Sequence, residues 1–79
     1  MTHDVLTARV RKVFEVVFGS RVSFDPQLGR ANEARWTSLK HVELLVALET
    51  EFGIRFDGGD ATDMISVPVV IEKVRQRVS

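Results

Sequence analysis

The chain has 79 residues and no cysteine, so it reads as one small domain over 1–79, without disulfides or thiolate metal sites to staple it. Eleven basic residues balance eleven acidic ones, which argues against nucleic acid as a default partner. No apolar run approaches the roughly 20 residues of a membrane span, charges interrupt the apolar residues of MTHDVLTARVRKVFEVVFG as they would not in a signal peptide, and the lack of cysteine fits a reducing, cytoplasmic setting.

A first helix is predicted over about 3–18. Thr2 can cap it and Asp4 suits its first turn. Leu6, Val10, Val13, Phe14 and Val17 recur at helical spacing, and Gly19 is a stop signal. Residues 19–37 have no helical period and carry the turn signals DP and LG. Val22, Phe24, Leu28 and Trp36 suggest that this long loop is packed down, with Trp36 as its pin. Strong helix formers without Gly or Pro fill 38–52, and Gly53 ends that second helix.

After a short extended IRF, the segment DGGD reads as a turn. Asp60 is then expected to cap a short third helix over roughly 60–65, with Asp63 at its third position. Ser66 is the predicted cap of a fourth helix. It tolerates Pro68 in its first turn and carries an apolar stripe of Val67, Val70, Ile71, Val74 and Val78. The expected fold is all-α: a small bundle of three longer helices and one short one, with a long loop between helices 1 and 2.

Charge is unevenly spread. Residues 1–37 sum to +2, residues 38–66 to −4 and residues 67–79 to +2. The acidic middle is either a solvated helix surface or a patch that steers a basic partner.

The second helix is apolar on two sides. At about 100° per residue, Leu45, Leu48 and Phe52 cluster on a core face flanked by Leu44 and Val42. Leu39 and Val46 point nearly opposite, beside Glu43, Ala47 and Thr50. These five residues are either ordinary exposed positions or a docking surface. At the start of the same helix, Thr37 or Ser38 supplies the cap. A helix N-terminus also favours a phosphate, so a phosphodiester on Ser38 would lie in a suitable field.

At these residues the sequence resembles the acyl carrier protein family. The likeness runs from WTSLKHVELLVALETEFGIRF through DGGDATDMISV to the last helix. It implies a four-helix bundle of acyl-carrier type and a non-enzymatic role. It also implies that Ser38 carries a covalent 4'-phosphopantetheine arm, transferred from coenzyme A by a phosphopantetheinyl transferase. The arm's thiol would hold acyl-type intermediates as thioesters for acyl-loading and acyl-processing enzymes of fatty acid, lipid or secondary-metabolite biosynthesis. The second helix, with Leu39, Glu43, Val46, Ala47 and Thr50, would be read by those partners. Thr37 stands where the family usually has Asp, Lys40 stands where an acid is common, and the net charge is zero where many members are acidic. These differences point to a specialised standalone carrier, expected to be a monomer.

No other constellation emerges. His41 falls on the inward side of the second helix and reads as a boundary histidine; with only His3 besides, no Ser/His/Asp set is recognisable. The acids of 57–63 do not match a calcium loop, and DGGD lacks a phosphate-loop context. Competing readings are an aminoacyl or peptidyl carrier, a helical adaptor that lacks the arm, and a small nucleic-acid-binding domain. The last rests only on Arg9, Arg11, Lys12 and the tail arginines.

Overall fold

The computed structural model describes residues 2–20 and 22–78. Four helices follow one another: α1 (His3–Phe18), α2 (Ser38–Phe52), α3 (Gly58–Asp63) and α4 (Val67–Val78). There is no named strand among the described residues; one isolated antiparallel bridge joins Gly29 to Ser66. No helix among them is long and apolar enough to cross a membrane.

The ends of α1 and α2 follow from local chemistry. Thr2 Oγ1 accepts from the Val5 N–H at 3.2 Å, which satisfies one of the first-turn donors of α1. Gly19 closes that helix at φ 92°, with its N–H on Glu15 O. Gly53 closes α2 in the left-handed region at φ 65°, where glycine has no Cβ to clash.

α1 packs mainly on α2, and α4 lies against both. The core joins Leu6, Val10, Val13, Phe14 and Phe18 of α1 to Leu44 and Leu48 of α2 and to Val67, Val70 and Val74 of α4. Ile71 and Val78 pack at its margin. The loop of 19–37 is folded onto this core as expected. Val22, Leu28 and Trp36 are buried, and the Trp36 ring meets Phe14 and Phe18 at 5.5 and 5.6 Å between centroids.

The loop is fixed at its middle. Asp25 Oδ1 accepts from the Gln27 N–H at 2.8 Å and forms a tight turn there. The Arg30 N–H then donates to Ile65 O, and the Val67 N–H donates to Leu28 O, each at 2.9 Å. Gly29 is required at this clasp because a Cβ on it would lie 2.9 Å from Ile65 O. Asn32 locks the approach, accepting from the Gly29 N–H at 2.9 Å and donating to Gln27 O at 2.7 Å.

Two expectations for the third helix need correction. DGGD is the opening of α3, not a separate turn. Asp57 is the cap: its carboxylate accepts from the Asp60 N–H at 2.8 Å, and the Asp60 carboxylate accepts from the Asp57 N–H at 3.2 Å. This reciprocal capping box starts the helix two residues before Asp60 and outweighs the turn tendency of the two glycines. Ser66 does precede α4, and its carbonyl accepts from the Val70 N–H at 3.0 Å. Its backbone is also the partner of Gly29 in the clasp.

The phase of α2 also shifts. Its buried residues are His41, Leu44 and Leu48, while Leu45 and Phe52 are only partly buried. Val42, expected to flank the core, is 56 % exposed. Arg9 accounts for the position of Phe52: its guanidinium lies 4.5 Å from the ring centroid and donates to Glu51 O at 2.7 Å.

Candidate functional site

The start of α2 gathers the residues singled out in the sequence. Thr37 is extended (φ −80°, ψ 174°), and its Oγ1 accepts from the Lys40 N–H at 3.2 Å. Thr37 is therefore the cap, and Ser38 is the first helical residue. Ser38 is exposed, and its hydroxyl is not spent on capping. Arg30, from the clasp, donates from Nη2 to Ser38 Oγ at 3.3 Å. Lys40 turns the other way, donating to Val17 O near the end of α1 at 3.2 Å and pairing with Glu43 at 3.1 Å. It satisfies a carbonyl of the last turn of α1, where a cation also suits the helix dipole.

Beneath this end lies a polar staple. The Trp36 indole N–H donates to His41 Nδ1 at 3.0 Å. An indole N–H can only donate, so Nδ1 carries no proton and Nε2 does. Nε2 donates to Ala61 O in α3 at 2.7 Å. His41 is accordingly a buried connector between the loop, α2 and α3, more enclosed than a boundary position. It sets the floor under residues 36–38.

The outer face of α2 carries Leu39, 69 % exposed, and Val46, 56 % exposed, on the side away from Leu44 and Leu48. Glu43 and Thr50 are exposed with them. Ala47 does not belong to this face: it is half-buried and packs against the core. Val42 takes its place, so the outward apolar stripe is Leu39, Val42 and Val46, spaced i, i+3, i+7. The wheel could have shown this had its centre been set on His41, whose burial depends on partners distant in sequence.

The acidic middle of the chain is largely committed to partners within the molecule. Glu51 pairs with Arg9 at 2.9 Å, and Glu49 accepts from the Phe56 N–H at 2.8 Å. Lys73 bridges Asp60 and Asp63 at 3.2 and 3.6 Å, while Arg77 bonds Asp60 and reaches Asp57 at 3.3 Å. Burial pushes the Asp60 carboxyl up, but the Asp57 N–H, Arg77 and Lys73 outweigh it and hold it below the usual carboxylate range. The basic ends thus fold back onto the acidic centre, whose carboxylates form a solvated surface of intramolecular ion pairs with only Asp60 buried among them.

Comparison of the chain with known protein families, curated proteins and solved structures returns no match.

Proposed function

We propose that this chain is a carrier protein whose Ser38 bears a 4'-phosphopantetheine arm. The observation that carries the reading is the division of labour at the start of α2. Thr37 does the capping, which leaves the Ser38 hydroxyl exposed beside the Arg30 guanidinium. The cap role that would otherwise account for Ser38 is filled by its neighbour. The sequence motif around it supplies the rest of the argument.

The residues present suit the group. In the transfer, Ser38 Oγ forms a bond to the phosphorus of coenzyme A that carries the pantetheine, the pyrophosphate bridge breaks, and adenosine 3',5'-bisphosphate leaves. The serine proton goes to a base of the transferase. Once attached, the arm supplies a thiol for thioester chemistry. This chain's own part is to hold Ser38 on a fixed helix end, place a cation beside the phosphodiester, and offer Leu39, Val42 and Val46 to the enzymes that load and process the cargo. The proposed cargo is an acyl-type intermediate of lipid or secondary-metabolite synthesis.

Intact mass spectrometry after incubation with coenzyme A and a broad-specificity phosphopantetheinyl transferase tests the reading. The parent should gain one phosphopantetheine on Ser38, and Ser38→Ala should gain none. Because Thr37 holds the cap, Ser38→Ala should change fold stability by less than about 0.5 kcal/mol. Modification elsewhere, or none with several transferases, overturns the proposal.

A further inference from the structure

We infer that Arg30 is a positioning residue for the phosphodiester, pairing with it and tying the arm to the connection between α3 and α4. The inference rests on the carrier reading of Ser38 and deepens it.

Two observations carry it. First, the side chain is already in place: Arg30 Nη2 lies 3.3 Å from Ser38 Oγ. After modification Oγ is the ester oxygen, and the two non-bridging oxygens that share the single negative charge lie two bonds beyond it, through the phosphorus. A guanidinium that reaches Oγ can exchange a bond to a neutral hydroxyl for charge-assisted, two-pronged bonds to these oxygens. The other cations nearby are engaged with carboxylates, Lys40 with Glu43 and Arg35 with Glu33 at 3.2 Å. Arg30 has no carboxylate partner among the described residues.

Second, the backbone of Arg30 is anchored more firmly than an ordinary loop position. Its N–H is on Ile65 O at 2.9 Å, the preceding Gly29 is bridged to Ser66, and Asn32 braces the turn. A tether of this kind lowers the conformational freedom lost when the ion pair forms. It also gives the arm a mechanical link to α3 and α4, which Ser38 itself, on α2, does not make.

The experiment is a thermal cycle on apo and modified protein for the parent, Arg30→Gln and Arg30→Lys, with intact mass confirming each state. In the parent, modification should raise Tm. In Arg30→Gln that holo-minus-apo rise should fall to near zero, and Arg30→Lys should keep part of it. Added salt should shrink the rise in the parent. A merely structural Arg30 would lower the apo and holo forms of Arg30→Gln equally, leaving the holo-minus-apo difference as in the parent, and that result overturns the assignment. Failure of the parent to gain mass removes the carrier reading and this inference together. Modification with an unchanged holo-minus-apo difference removes the Arg30 role alone.

Discussion

The two faces of α2 are built from the same kinds of side chain and do different things. Leu44 and Leu48 are fully buried, whereas Leu39, Val42 and Val46 on the opposite side are more than half exposed. A helix needs one apolar face to be held in a bundle. The second face contributes little to the fold, so its composition is free to answer to something outside the molecule. The difference teaches that apolar residues in a helix are informative about function only once the core has claimed its share.

The comparison breaks most visibly at Leu48. Leu48→Ala should cost about 2–5 kcal/mol, because the removed methyls leave a cavity in a closed core. Val46→Ala and Leu39→Ala should each stay within about 0.5 kcal/mol. Chemical denaturation of the three variants checks this, and a Val46→Ala loss equal to that of Leu48→Ala would erase the distinction between the faces.

A smaller effect is expected at His41, which belongs to the inner face but is polar. His41→Phe keeps the bulk and removes both hydrogen bonds, leaving the Trp36 N–H and the Ala61 carbonyl without partners. Orphaning the buried Trp36 N–H costs about 1–3 kcal/mol, while the half-buried Ala61 carbonyl can turn to water at little cost. Part of the loss should be visible as a red shift of Trp36 fluorescence as the loop loosens. An unshifted spectrum with parental stability would mean that packing alone holds the loop.

The smallest effect sharpens a second contrast, between the apolar seam of α1 and α2 and the charged seam of α3 and α4. The folded-state pKa of Asp60 lies below its ordinary value of 3.8. Its stabilising contribution is therefore fully present above that value and is lost as pH falls from there through the lowered folded pKa. Asp60→Asn should be less stable than the parent at neutral pH, and the gap should close in acid below pH 4. Denaturation midpoints at pH 7 and pH 3 give the sign; a gap that widens in acid contradicts the ion-pair account.

How much of this was legible in the sequence depends on how local each signal is. Thr2, Gly19 and Gly53 marked helix ends correctly because caps and left-handed glycines act within a few residues. The third helix was displaced because two glycines obscured a capping box that starts at Asp57. The phase of α2 was misjudged at its edges, with Val42 placed inward and Ala47 outward. His41 was the cause: its burial is decided by Trp36 and by Ala61, neither of which a helical wheel contains. Charge counting found the acidic middle but not its partners, since Arg9, Lys73 and Arg77 arrive from the ends of the chain. Ser38 was visible as a candidate from its motif. Its release from the capping role and the approach of Arg30 depend on three-dimensional structure.

The clasp between Gly29 and Ser66 has a consequence for motion. It joins segments on either side of α2, and its closure entropy is met by backbone hydrogen bonds together with the burial of Leu28 and Val67 beside them. Opening it requires Leu28 or Val67 to leave the core, so the latch should open together with part of the bundle rather than by itself. Hydrogen exchange at the Arg30 and Val67 amides would then report how closely the latch is coupled to the core. While it is open, Arg30 is no longer anchored beside Ser38. Slow exchange at both amides would mean that Arg30 stays beside Ser38 for as long as the core stays closed.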